Sequence, residues 1–283
     1  MNLNIYQKTI NELIEAKIES PRLEARILIA SVTNIDSNSV TNSIALSNEE
    51  LKKLNNMINE RKNHKPLDKI IGVKGFYCHD FITSEDVLSP RPDTETLVEE
   101  AIKLVKQNNF SNILDLGTGS GCIVLSILSQ CPNLSATAVD ISAKALKIAK
   151  MNAEKLNLSE RCNFVNASWF DTDFSTKTET EYNVIISNPP YIPTEDIKSL
   201  EPEVKNFDPI LALDGGSDGL DSYKQIAKVA KEKISPNGYV IIEAGINQEQ
   251  DIINIFTNQG LLHVTSINDL NTIPRCIVFK SQK

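Results

Sequence analysis

The chain has 283 residues, with 29 basic and 37 acidic side chains and a formal net charge of -8. At roughly 100–200 residues per domain this length fits one large domain or two unequal ones, and a 41% hydrophobic content suffices for a real core. Eleven glycines and twelve prolines exclude a collagen-like or low-complexity chain, and no apolar run approaches the ~20 residues of a membrane span.

The N-terminal stretch lacks the basic start, apolar segment and small-residue cleavage site of a signal peptide, so a cytoplasmic protein is expected. Ile10, Leu13, Ile14 and Ile18 share a face at helical spacing. Ser20-Pro21 predicts a second helix, with Ser20 as cap and Pro21 at its first position, running through Leu23, Ile27 and Ala30. Ser47 with Glu50 makes a capping-box pattern ahead of Leu51, Leu54, Met57 and Ile58. Residues 1–71 therefore read as a small helical bundle, and Lys52, Lys53, Arg61, Lys62 and Lys65 as its solvated face or a partner-docking surface. Residues 72–92, with Phe76, Tyr77, Phe81 and Ile82 around Cys78-His79-Asp80, read as a hairpin linker.

Residues 93–283 read as a second, larger domain. A helix follows Pro92-Asp93-Thr94, and then strands and helices alternate. Strands are predicted at 113–116, 136–139, 163–165, 183–187 and 239–243, with helices at 122–130, 143–156 and 222–234. Such alternation implies a mostly parallel sheet covered on both faces. The last two strands, at 263–267 and 275–279, are joined too closely for a helical crossover, so the final strand is expected to return antiparallel.

The five cysteines are dispersed without a CxxC and read as reduced packing residues. Three distant histidines form no metal box, so no metal is expected. Residues 1–72 carry ten basic and nine acidic groups, whereas the remaining 211 carry 19 and 28. A protein that grips nucleic acid usually presents a basic face, so direct nucleic-acid binding is not expected of this acidic portion.

Two stretches carry chemistry. Gly117-Thr118-Gly119-Ser120-Gly121 follows Asp115-Leu116 at a strand end and opens a helix, where bare backbone can approach a ligand. Cys122 stands where a nicotinamide fingerprint needs its third glycine, so the loop suits a nucleoside without a pyrophosphate. Asp140, nineteen residues after Gly121 at the end of the next strand, is either a ribose-binding carboxylate or the cap of the helix from Ala143. Trp169 is either a face for an adenine ring or a core tryptophan. The second stretch is Asn188-Pro189-Pro190-Tyr191, directly after the fourth strand. The Asn188 side-chain carbonyl and the Pro189 backbone carbonyl can accept both hydrogens of a planar –NH2 group, with Tyr191 stacking on it. The bland alternative is a rigid surface turn.

At these residues the chain resembles the HemK/PrmC family, S-adenosylmethionine-dependent methyltransferases of the glutamine in class-I peptide-chain release factors. The resemblance rests on the segments 20–25, 76–81 and Pro90-Arg91-Pro92-Asp93-Thr94-Glu95, on the glycine loop and Asn188–Tyr191, and on 209–219. It implies a class I, Rossmann-like methyltransferase domain with an N-terminal helical substrate-docking bundle. It further implies that Gly117, Thr118, Gly119, Ser120 and Gly121 hold the methionine end of S-adenosylmethionine, Asp140 the ribose, and Trp169 the adenine. Asn188 would contact cofactor and substrate, Pro189, Pro190 and Tyr191 would complete the substrate pocket, and Arg91 and Pro92 would close over the site. Asn188, Pro189 and Tyr191 are the expected catalytic residues, with S-adenosylhomocysteine as product, no general base, and a monomer acting on a release factor. The rival readings are a glutamine methyltransferase of a ribosomal protein, an adenine-N6 methyltransferase, and a binding module that has kept the fold.

Overall fold

The computed structural model describes residues 4–178, 181–269 and 271–283. The chain begins with helices α1 (Ile5–Glu15), α2 (Pro21–Thr33), α3 (Asn48–Lys62) and α4 (Leu67–Ile71), then strands β1 (Val73–Phe76) and β2 (His79–Ile82). There follow α5 (Glu95–Asn108), β3 (Asn112–Leu116), α6 (Cys122–Gln130), β4 (Ser135–Asp140), α7 (Ala143–Lys155) and β5 (Cys162–Asn166). The last third holds α8 (Phe174–Lys177), β6 (Tyr182–Ser187), α9 (Pro202–Phe207), α10 (Asp221–Lys233) and β7 (Ile234–Glu243). It ends with α11 (Glu249–Asn258), β8 (Leu261–Asn268) and β9 (Pro274–Ser281). Residues up to Val73 together with Glu201–Phe207 form one compact unit, and Lys74–Leu200 with Asp208–Lys283 a second.

The helical unit closes around Leu13, Leu28, Ile29, Leu54 and Ile58. The capping box at Ser47 is present in both directions, with Glu50 N–H on the Ser47 hydroxyl and Ser47 N–H on the Glu50 carboxylate. Ser20 occupies the N-cap of α2 but makes no side-chain cap, because its backbone turns away from extended geometry. Ile14 and Leu23 lie exposed, outside the core face expected of them. Arg61 departs most from its expected solvated role. It is 4% exposed, donating from Nε to Glu24 at 2.6 Å and pairing with Glu203 at 2.8 Å. Glu203 comes from α9, so a short segment far along the chain completes this unit.

In the second unit the seven-stranded sheet runs β5-β4-β3-β6-β7-β9-β8. Pairings from β5 to β7 are parallel, and β9 is antiparallel to both of its neighbours. The apolar strands β3 and β6 send alternate residues to opposite faces. Ile113, Val184 and Ile186 enter a core with α5 and α6, whereas Leu114, Leu116 and Ile185 enter one with α10 and α11. Burial on both faces is what a parallel sheet with helical crossovers requires. β7 starts at Ile234, earlier than the sequence pattern suggests, because an irregularity between Ile234 and Tyr239 interrupts its pairing with β6. The α11 crossover before β8 is a further element absent from the sequence reading, anchored by Phe256 stacked 4.6 Å from Phe279. Among the described residues no helix is long and apolar enough to cross a membrane.

The chain leaves β3 toward β4 and β5, then returns to place β6 on the other side of β3. Open α/β sheets bind ligands at such a reversal, beyond the carboxyl ends of the strands. Behind that edge lies Asn152 of α7, fully buried. Its Nδ2 donates to the carbonyls of Ser120 (2.9 Å) and Ile82 (3.1 Å), and its Oδ1 accepts from Ile82 N–H (2.7 Å). One side chain thus ties the β1–β2 hairpin and the loop after β3 to α7. Asn152→Ala is expected to destabilise this unit by about 2–4 kcal/mol, since buried backbone groups left without a partner cost roughly 1–3 kcal/mol each; denaturant unfolding checks this.

Candidate active site

The loop between β3 and α6 is shaped by contacts from behind. Gly117 and Thr118 N–H both donate to the Val139 carbonyl, at 2.9 and 3.0 Å, and Gly121 N–H donates to Thr118 O at 2.8 Å. Gly117, at φ +78°, is a position that favours glycine. A Cβ there would be strained in backbone and would stand 3.3 Å from the Trp169 ring and 4.0 Å from the Asn188 carbonyl oxygen. The glycine loop, Trp169 and Asn188 therefore converge on one place.

Asp140 ends β4 beside this loop. Its Oδ2 accepts from Gly119 N–H at 2.9 Å and its Oδ1 from Ser142 N–H at 2.8 Å. Burial pushes its carboxyl up, opposed by these two hydrogen bonds. The cap of α7 is Ser142, whose hydroxyl accepts from Ala145 N–H, so the helix-cap reading of Asp140 does not hold. Each Asp140 oxygen keeps a free lone pair after one bond. Asp115, inside β3, is fully buried. Thr118 Oγ1 donates to its Oδ2 at 2.6 Å, Oδ1 has no partner, and burial pushes its carboxyl up to about 7.

Trp169 is buried in the core on the α10 side and also forms a wall of a cavity of about 370 Å³. Ile141, Phe170 and Pro190 line the cavity with it, and Ile210, Leu211 and Asp214–Gly216 close the far side. The Trp169 Nε1–H is buried without a partner. Trp169 is thus a core residue that also borders a cavity.

The Asn188–Tyr191 loop is fastened at its root, where Ser187 Oγ donates to Leu116 O at 2.6 Å across β3 and β6. Asn188 Nδ2 donates to Thr94 Oγ1 at 3.3 Å, and Thr94 Oγ1 donates to Glu243 Oε2 at 2.6 Å. Pro189 is buried and Pro190 lies at the cavity wall. The Tyr191 carbonyl accepts from Gln248 Nε2 at 3.0 Å, and its ring lies over Gly245, where a Cβ would come within 2.9 Å of it. Burial and the neighbouring Glu243 push the Tyr191 phenol up to about 12. Arg91 is half-exposed and pairs with the buried Asp208 at 3.1 Å.

Glu243, at the end of β7, is a residue the sequence reading missed. It is buried, and burial pushes its carboxyl up to about 7 against the opposing pull of Thr94, Arg275 and Asn188. A carboxylate closing the apolar run Tyr239–Ile242 was the available signal, in the same place on its strand as Asp140 on β4. Among the described residues, no group of His, Cys, Asp and Glu side chains is arranged to hold a metal ion. The bare glycine backbone, the Asp140 carboxylate with spare lone pairs, the orphaned Trp169 N–H and the adjoining cavity fit a nucleoside carrying a sulfonium amino acid.

Fold and site define a Rossmann-like methyltransferase. The chain matches the methyltransferase small domain over residues 92–200 and the PrmC N-terminal domain over 4–72. It is 37% identical to the release factor glutamine methyltransferase of Rhodospirillum rubrum, over 93% of this chain and 80% of that one. It is 34% identical to that of Caulobacter vibrioides, over 95% and 92%. The chain belongs to the release factor glutamine methyltransferase family. It also matches half of the longer bifunctional methyltransferase of Rickettsia typhi, at 37% identity over 88% of this chain and 51% of that one. In fold alone it resembles the hMettl16 catalytic domain (TM-score 0.58, 15% identity, 85% of this chain and 84% of that one). A methyltransferase from Pyrococcus furiosus shares the fold similarly (TM-score 0.53, 18% identity, 78% and 98%).

Asp115 carries a pH signature. Its carboxyl ionises near 7 in the folded chain, against an ordinary value of 3.8. Between these values the folded chain holds a proton that the unfolded chain has lost, so this group's contribution to stability falls as pH rises, levelling above about 7. Asp115→Asn cannot ionise and should lack that slope. The Tm difference between variant and wild type is expected to move in the variant's favour from about pH 4 to about pH 7; a constant difference overturns this.

Proposed function

We propose that this chain transfers a methyl group from S-adenosylmethionine to the side-chain amide nitrogen (N5) of the glutamine in the Gly-Gly-Gln motif of class-I release factors. The reading is carried by one juxtaposition: the backbone carbonyl of Asn188, which opens an Asn-Pro-Pro-Tyr loop, and the edge of Trp169 both lie beside Gly117 of the glycine loop. It is supported by relatives of 34–37% identity, spanning most of both chains, that are named release factor glutamine methyltransferases. The match of residues 4–72 to the PrmC N-terminal domain supports a substrate-docking role for the helical unit. The substrate is then a protein of translation termination, met in the cytoplasm, and neither a metal nor direct binding of nucleic acid is needed.

When bound, S-adenosylmethionine supplies a methyl group made electrophilic by its sulfonium. Gly117–Gly121 and the N-terminus of α6 would hold its methionine end, Asp140 its ribose hydroxyls and Trp169 its adenine. The chain's task is positioning, because an amide nitrogen is a weak nucleophile whose lone pair is delocalised into the carbonyl. The Asn188 Oδ1 and the Pro189 carbonyl accept the two hydrogens of the substrate –NH2, and Tyr191 packs on its plane. Fixing both reactants in this way can supply roughly 7–11 kcal/mol of the barrier. The same two acceptors stabilise positive charge developing on nitrogen. As that charge grows the nitrogen becomes acidic, and its proton passes to water without an assigned base.

The direct test mixes the chain with methyl-labelled S-adenosylmethionine and a class-I release factor, beside the same factor with its Gly-Gly-Gln glutamine changed to alanine. Label is expected on the intact factor alone; label on both, or on neither, overturns the assignment. Asn188→Ala is expected to lower kcat by about 100-fold or more while the far-ultraviolet circular dichroism stays unchanged. Asp140→Ala should weaken S-adenosylmethionine binding by about 10- to 100-fold in calorimetry, the scale of lost hydrogen bonds to a charged group.

A further inference from the structure

The amide of Asn188 has two ends of nearly the same shape and opposite chemistry. Turned over, the side chain fills the same space but presents N–H where it had presented an oxygen. Only one orientation can accept hydrogens from a substrate amide, so something must decide between them.

Thr94 stands at the N-cap position of α5, a place where a threonine hydroxyl usually accepts from the helix backbone, yet it makes no such cap. It is 2% exposed, and its Oγ1 lies 2.6 Å from Glu243 Oε2, 149 residues further along the chain. An ionised carboxylate only accepts, so the single hydroxyl hydrogen of Thr94 is committed to Glu243. What Thr94 turns toward Asn188 is then lone pairs, and Nδ2 donates to them at 3.3 Å. A flipped Asn188 would set its oxygen against the lone pairs of a buried hydroxyl, in surroundings that screen the repulsion less than water does.

We infer that Thr94 and Glu243 are positioning residues for the reaction: Glu243, acting through the Thr94 hydroxyl, holds Asn188 Nδ2 back and thereby keeps Oδ1 toward the substrate. The inference rests on the role proposed for Asn188. Glu243 is itself held by its surroundings, with Arg275 on β9 as the neighbouring cation, donating to Asp269 Oδ2 at 3.2 Å and to the Ala244 carbonyl at 3.1 Å. The two carboxylates at strand ends therefore do different work. Asp140 meets the loop backbone directly, whereas Glu243 acts two side chains away through a hydroxyl.

Thr94→Val removes the hydroxyl and keeps the shape; Thr94→Ser keeps the hydroxyl. At about pH 8, where Glu243 is ionised, Thr94→Val should lower kcat for release-factor methylation about 100-fold. The KM for the release factor should change by less than about threefold, and Thr94→Ser should recover kcat to within about threefold of wild type. Glu243→Gln, which can turn a donor toward Thr94 and so free either amide orientation, should lose about tenfold. A second readout needs no substrate: exchange of the Asn188 side-chain amide protons with water, followed by NMR on the full chain. Exchange should be about tenfold faster in Thr94→Val and Glu243→Gln than in wild type and Thr94→Ser. Equal kcat for the valine and serine variants, or equal exchange rates throughout, overturns the inference. If the wild type leaves the release factor unlabelled, the substrate reading fails on its own, and amide exchange still decides whether Thr94 holds Asn188. If Thr94→Val does not fold, Glu243→Gln against wild type decides in the same exchange measurement.

Discussion

The site depends on a stretch of backbone that must stay bare and yet hold one shape. Residues 117–121 have no side-chain bulk to brace them on the ligand side, so the bracing comes from behind. Val139 O takes two of their N–H groups, Asp140 Oδ2 takes Gly119 N–H, Asp115 takes the Thr118 hydroxyl, and Asn152 takes the Ser120 carbonyl. Buried polar groups without partners are costly, and a loop satisfied from one side has little freedom to rearrange on the other. Among the buried side-chain atoms without a partner in the described residues are Asp115 Oδ1, Ser120 Oγ and Trp169 Nε1, in or beside this loop.

The sheet explains why these parts meet. Parallel strands covered on both faces deliver all their carboxyl ends to one edge, and the order β4-β3-β6-β7 sets Asp140, the glycine loop, Asn188 and Glu243 along it in sequence. Burial then acts differently on each carboxylate. Asp140 is met by two backbone N–H groups that favour its charged form, against a desolvation cost. Asp115 and Glu243 are more deeply buried, and both are pushed up to about 7. A row of acidic residues at strand ends is therefore a set of chemically distinct groups, separated first by how deeply each is buried and then by the hydrogen bonds it receives.

Much of this was legible in the residues. Periodicity and glycine placement put the strand ends, the helix Cys122–Gln130 and the antiparallel last strand where they stand, because apolar alternation and capping are local properties of the chain. The two loops that carry chemistry announced themselves through residue types that strands and helices avoid. Other features were invisible for physical reasons. Arg61 looks like one more solvated cation on a helix, and only the approach of Glu24 from α2 and Glu203 from α9 makes it a buried ion-pair centre. Asn152 looks like an ordinary polar residue of α7 until the hairpin and the glycine loop come to either side of it.

What the sequence determined by itself was the kind of loop at two strand ends: a bare glycine loop and an acceptor-rich Asn-Pro-Pro-Tyr turn, each encoded within a few consecutive residues. Which groups stand behind those residues was decided only by tertiary structure. Thr94, Asn188 and Glu243 are separated by 94 and 55 positions in the chain, and no local pattern links them. They become one hydrogen-bonded row because β6 and β7 pair in a register that leaves Ser187 opposite Ile242 and sets their ends level, beside the start of α5. Local residue preferences act over a turn or a strand, whereas a hydrogen bond's direction is settled only when the fold has brought both partners together.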